Sequence, residues 1–426
     1  MGQASAEGAS SSRGRRHALV LLGLLALVGA NMRTVMLGVP PVLPLIQRDL
    51  GLSHVETGLV TSLPVLMMGG MAWGSGWLAD HFGGRRTVTA GLLLLLVGSA
   101  LRGVWASAVP LYVFTGVFSL GVAVSQTSAP VLVRQWFPAR IGLASALYTD
   151  GLIAGEALSA GVTLPLMRLW LGPDAWRATF IVWSVPVALT VVLWVALAPA
   201  SARTPRGRFA APASRSDDVD VDSHRSGRPV SALQLGLLSG SGSLIYFTMN
   251  TWIPPYNAAT GHGAATAPVL GMLNGIQLPV CLGMTLVAQR LLGRRIPFML
   301  AGATCLVGLA GWLTSPASWQ VAWVALVGGG GVSVLVLSNA LPPLLAKPGE
   351  VARLAGATLS IGYGLAFVGP LAGGWLWDRT GHPAAAFVPV VFGTLGLMVF
   401  GATLPRSPSL PEEVSSSPVR AIPERP

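Results

Sequence analysis

Charge is scarce in this chain: only 10% of its 426 residues are Asp, Glu, Lys or Arg, against roughly 25% in a soluble domain. Together with 52% hydrophobic residues and a mean hydropathy of +0.64, that shortage excludes a large water-exposed domain and makes lipid the solvent. Cysteine is nearly absent. Cys281 and Cys305 both fall inside apolar runs, where they read as small hydrophobes, which excludes a disulfide framework or a metal pair. Also missing are a phosphate-binding loop, an H-E-x-x-H motif and a Ser, His and Asp cluster, and the histidines fall in the N-terminus, loops or linker. No covalent chemistry, cofactor or metal site is therefore expected, and the chain does not read as an enzyme.

Long apolar runs are what the sequence has instead. Crossing a bilayer takes about 20 apolar residues, and such runs lie at 17–45, 55–79, 87–106, 109–133, 140–167 and 175–199. Six more follow at 230–256, 264–289, 296–314, 319–346, 352–376 and 384–404. The expectation is an all-α integral membrane protein of twelve transmembrane helices, built as two pseudo-symmetric six-helix bundles over residues 17–199 and 230–404. Residues 1–16 and 405–426 form tails, and 200–229, rich in Arg, Asp, Ser and Pro, reads as a disordered linker. The first run has no small-residue cleavage site and reads as a retained span.

The net charge of +11 would suggest nucleic acid in a soluble protein, but its placement argues otherwise. With the N-terminus inside, only Arg48, Arg102, Arg168, Arg177 and Arg379 lie outside and Arg33 lies within a span; every other Lys and Arg is cytoplasmic. That bias puts both termini in the cytoplasm and leaves nucleic-acid binding without support.

The halves echo one another. Ala79-Asp80-His81-Phe82-Gly83-Gly84-Arg85-Arg86 corresponds to Ala288-Gln289-Arg290-Leu291-Leu292-Gly293-Arg294-Arg295, and Pro40-Pro41 corresponds to Pro254-Pro255, each pair closing the core of its span. The first of these segments, from Gly76 to Arg86, resembles the loop signature of the major facilitator superfamily, with His81 in place of the usual Arg and an extra Gly83. Asn31-Met32-Arg33 and Gly38-Val39-Pro40-Pro41 resemble the superfamily's cyanate and 2-nitroimidazole transporter branch, as does Thr61 to Gly70. The resemblance implies a secondary active transporter, monomeric and proton-coupled, working by alternating access in the bacterial inner membrane. It implies a conformational gate at Asp80, Gly84, Arg85 and Arg86, with Asp80 latching the halves on the cytoplasmic side.

Three ionisable residues lie deep in spans: Arg33, Asp150 and Glu156. A charge at that depth costs at least ~2.5–3.5 kcal/mol on insertion scales, so it faces a wet cavity or a partner. Counting from Arg16 and Arg140 at 1.5 Å per residue, Arg33 and Glu156 stand about 24–26 Å up their helices, at similar depth. Asp150 lies lower and points roughly 120° away from Glu156. Arg33 offers a planar fork suited to a small anion, and is either a substrate ligand or half of a structural ion pair. Glu156 is either its counter-ion or a protonatable coupling group, and Asp150 either a second coupling group or an ordinary polar lining residue. Asn31, Gln126, Tyr246, Asn250, Trp252, Asn274, Gln277, Asn339 and Tyr363 come from spans that line the central cavity in the superfamily, and complete the expected substrate site. The substrate expected is a small anionic or polar solute. Export of neutral nitro-heterocycles or drug-like compounds is one alternative, and a non-transporting membrane sensor is another.

Overall fold

The computed structural model describes residues 2–71, 81–199, 231–345 and 351–404. The linker at 200–229, the tail at 405–426 and Asp80 lie outside the described residues. Twelve helical spans appear: α1 (Gly2–Leu37), α2 (His54–Met71), α3 (Gly84–Leu101), α4 (Ala108–Trp136), α5 (Ile141–Leu166) and α6 (Trp176–Leu197), then α7 (Ala232–Ala259), α8 in two pieces (Thr266–Gly275 and Gln277–Leu291), α9 (Ile296–Thr314), α10 (Gln320–Leu345), α11 (Val351–Thr380) and α12 (Val388–Ala402). Among the described residues, ten stretches are long and apolar enough to cross a membrane, all but α2 and α7. The described part of α2 stops at Met71. α7 is the more instructive: it buries Ser239, Ser241, Thr248, Asn250 and Thr251, so it faces protein on most sides and has little need of a lipid-compatible surface.

Local sequence explains where helices stop. α1 ends at Leu37, before Gly38 and Pro40-Pro41, and the chain turns through a 3₁₀ segment into a short helix, Leu43–Leu50, closed by Gly51 at φ 63°. The corresponding Pro254-Pro255 does not end α7, which runs on to Ala259. Where α1 has the permissive Gly38, α7 has Trp252, whose indole Nε1 is held 3.0 Å from Pro370 O. The break in α8 at Ile276 follows from Pro279, which has no N–H for the carbonyl of Gly275 and crowds it.

Helix pairing repeats between the halves. α1 packs on α5, and α3 on α4 and α6; α7 packs on α11, and α9 on α10 and α12. The two sets meet along α2–α11 and along α5 with the first piece of α8, while the second piece of α8 makes little contact with α5. The α5–α8 seam is therefore packed at the end away from the N-terminus, where Gly161 and Gly271 bring the two helices close enough that a Cβ on either would lie 3.3–3.4 Å from the other's Cα. Exposed Trp105, Trp170, Trp319 and Trp375 all lie toward that same end, as interfacial tryptophans do.

Candidate functional site

The site begins with a contact between small residues. Gly151 and Gly155 of α5 lie against the backbone of Ala26 and Ala30 of α1, with no room for a Cβ at either glycine. Backbones this close bring the neighbouring polar groups of the two helices together. Arg33 Nε stands 3.2 Å from Glu156 Oε1, and the two side chains are 11% and 7% exposed. The pair is ionic rather than well aligned, since Nε makes no hydrogen bond of good geometry. Nη1 lies 3.9 Å from Met36 Sδ. Among the described residues, no oxygen accepts a hydrogen bond from either Nη atom, which leaves the outer edge of the fork free for a ligand.

The second half supplies the neutral wall. Tyr246 on α7 donates to Asn274 Oδ1 on α8 at 2.7 Å, Asn274 Nδ2 donates to Asn250 Oδ1 at 2.9 Å, and Gln277 Nε2 lies 3.4 Å from Asn274 Oδ1. Tyr246 and Gln277 also lie near the Glu156 carboxylate. On α11, Tyr363 accepts from Gln126 Nε2 of α4 at 3.3 Å, and it lies within electrostatic reach of Arg33 with Tyr148 and Tyr246. The hydroxyl of Tyr148 and Gln126 Oε1 are buried without a hydrogen-bond partner, and buried orphans of this kind call for a ligand or water. The cluster thus spans both halves of the molecule: a single cation, a single carboxylate, three phenols and four carboxamides.

Of the residues expected from sequence, the structure gathers Arg33, Glu156, Gln126, Tyr246, Asn250, Asn274, Gln277 and Tyr363 and leaves four elsewhere. Asn31 points the other way and donates to Thr190 Oγ1 of α6 at 2.8 Å. Trp252 sits in the packed end of the seam, 5.7 Å from Trp377. Asn339 is exposed on α10, and Asp150 is half-buried on α5 and makes no ion pair among the described residues. Near the expected gate, Gly84 packs on Leu132, Arg85 Nη2 donates to Val195 O at 2.9 Å and Arg86 is exposed. Tyr148 was not anticipated. Arg102, expected in an outside loop, is fully buried between the rings of Phe118 and Phe180, at 4.5 and 4.1 Å, and donates to Val35 O at 2.8 Å.

A sequence profile of the Major Facilitator Superfamily matches residues 19–368. The chain belongs to the major facilitator superfamily. It is 27% identical over 383 residues to the cyanate transport protein of Escherichia coli K12, covering 89% of this chain and 95% of that one. It is 26% identical over 394 residues to the 2-nitroimidazole transporter of the same organism, covering 92% and 97%. Among solved structures, the D-xylose–proton symporter superposes with a TM-score of 0.74 at 13% identity, covering 91% of this chain and 97% of that one. That likeness establishes the fold. The profile match makes this a multi-pass membrane protein of a transporter family.

Proposed function

We propose that the chain is a secondary transporter for a small anionic or strongly polar solute, bound at the Arg33–Glu156 seam and carried by alternating access. The observation that carries this reading is Arg33, a buried guanidinium whose Nη edge has no oxygen partner among the described residues, set among phenols and carboxamides from both halves. An incoming anion competes with Glu156 for the guanidinium. A buried carboxylate stripped of its counter-ion is costly and takes up a proton to relieve that cost, so substrate binding and protonation become linked through one pair. The seam, packed at one end and splayed along the second piece of α8 at the other, corresponds to an inward-facing arrangement when both termini are cytoplasmic, in a bacterial inner membrane.

The relatives' names bear on the solute: one names cyanate, a small anion, and the other 2-nitroimidazole, a nitro-heterocycle. The neutral wall formed by Tyr246, Asn250, Asn274 and Gln277 accommodates the second kind, and Arg33 favours the first. A thermal-shift screen of the purified protein against cyanate, small carboxylates and 2-nitroimidazole separates them. Stabilisation by anions that is lost in Arg33→Ala supports the reading. Stabilisation by 2-nitroimidazole alone, unaffected by that substitution, replaces it with a carrier of neutral heterocycles.

A further inference from the structure

The N-terminus of α2 is unusual in how its backbone donors are met. The first four N–H groups of a helix have no partner within it, and Ser53-His54-Val55-Glu56 forms a capping box that serves two of them. Ser53 Oγ accepts from Glu56 N at 3.2 Å, and Glu56 Oε2 accepts from Ser53 N at 2.8 Å. The two donors between, which a capping box cannot reach, are met from the other half of the molecule. His54 N donates to Asp378 Oδ1 at 3.1 Å and Val55 N to Asp378 Oδ2 at 3.1 Å, while the His54 ring nitrogen Nδ1 lies 2.6 Å from Oδ1. Asp378 is near the end of α11, 324 residues away from His54.

The surroundings make this a closed seam. His54 stacks on Trp377 at 4.2 Å between ring centres. A Cβ at Gly374 would fall 2.6 Å from His54 O, and one at Gly58 would fall 2.9 Å from Pro370 O. Thr61 of α2 shares a 2.8 Å hydrogen bond with Thr251 of α7 one level deeper. A negative charge at the positive end of the α2 dipole adds to the attraction.

We propose that Asp378 is a cap acting across the two halves: it completes the N-terminus of α2 and holds the outer end of the seam shut, so that its loss moves the molecule toward an outward-open arrangement. This rests on the alternating-access reading, because only a protein whose outer end opens has a closed state for the cap to favour.

The test is a spin-label distance measurement on the full chain in lipid nanodiscs. Cys281→Ser and Cys305→Ala remove the native thiols, and nitroxides are placed at Ala106→Cys and Ser318→Cys, two exposed positions in the outer turns of opposite halves. Asp378→Asn keeps the shape and removes the charge and one acceptor. The long-distance population is expected to rise roughly two- to fivefold, the size of a lost negative charge at a helix N-terminus. His54→Ala, which keeps both backbone donors, is expected to give a smaller rise and covers the case in which Asp378→Asn does not fold. Gly58→Leu is a wedge between α2 and α11 that opens the outer end by crowding alone. An Asp378→Asn distribution identical to the parent, with Gly58→Leu opened, overturns the cap and leaves alternating access standing. No opening in either variant overturns both.

Discussion

A buried ion pair contributes little net stability, because desolvating two charges offsets most of their attraction, yet removing one partner leaves the other stranded at a cost of about 3–5 kcal/mol. Arg33 and Glu156 fit that description at 11% and 7% exposure. Arg33→Ala is therefore expected to lower the thermal unfolding midpoint, and Arg33→Ala with Glu156→Gln to recover much of the loss while remaining unable to bind anions. Unfolding curves with and without ligand check both parts. A double variant no more stable than the single one would mean that Glu156 is neutral beside Arg33. Arg33 and Glu156 were legible in sequence because charge in an apolar run has few explanations. Asn31 and Trp252 fall outside the cluster for a common reason. Each lies two residues from a member of the cluster, Arg33 and Asn250, and two residues turn a helix by about 200°, to its opposite face. Asn31→Ala is accordingly expected to leave solute binding intact and to cost about 0.6 kcal/mol of stability, the mean for hydrogen bonds between membrane helices. A loss of binding in that variant would return Asn31 to the site. Tyr148 escaped notice because a tyrosine in an apolar run reads as packing. Its one signal is the face it shares with Gly151 and Gly155, three and seven residues on.

At the scale of elements, glycine and proline set the site's geometry. Gly155 sits against Ala30, so Gly155→Leu is expected to push α1 from α5 and separate Arg33 from Glu156. It should abolish binding although it changes neither charge, and a calorimetric titration with the screened solute measures this. Wild-type affinity in that variant would show that the pair does not depend on the α1–α5 contact. Pro279 breaks α8 between Asn274 and Gln277, both members of the cluster. Pro279→Ala is expected to restore the hydrogen bond to Gly275 O and reorient one of them, and a solute affinity equal to the parent's would count against that. The span boundaries were largely visible from run length, within a few residues for α9 and α10. The continuation of α7 through Pro254-Pro255 was not, because whether a proline ends a helix or rides inside it depends on what holds the following turn, here Trp252 on Pro370.

On the scale of the whole molecule, the repeated pairing of helices gives two bodies joined along two seams, with the polar cluster between them. The six-plus-six division could be read from the echo between Asp80–Arg86 and Gln289–Arg295, but the seams could not. The contacts that form them, His54 with Asp378 and Gly161 with Gly271, join residues that carry no signal until the halves are placed face to face. That interface is the proposed path of the solute, with Arg33 as its ligand. Solute counterflow in proteoliposomes tests this most directly, because exchange of external labelled solute for internal unlabelled solute requires binding and alternation without depending on the direction of any gradient. Using the solute selected by the thermal-shift screen, the wild-type protein is expected to accumulate label transiently and Arg33→Ala, folded by its unfolding profile, to show none. Counterflow by Arg33→Ala at the wild-type rate would contradict the account.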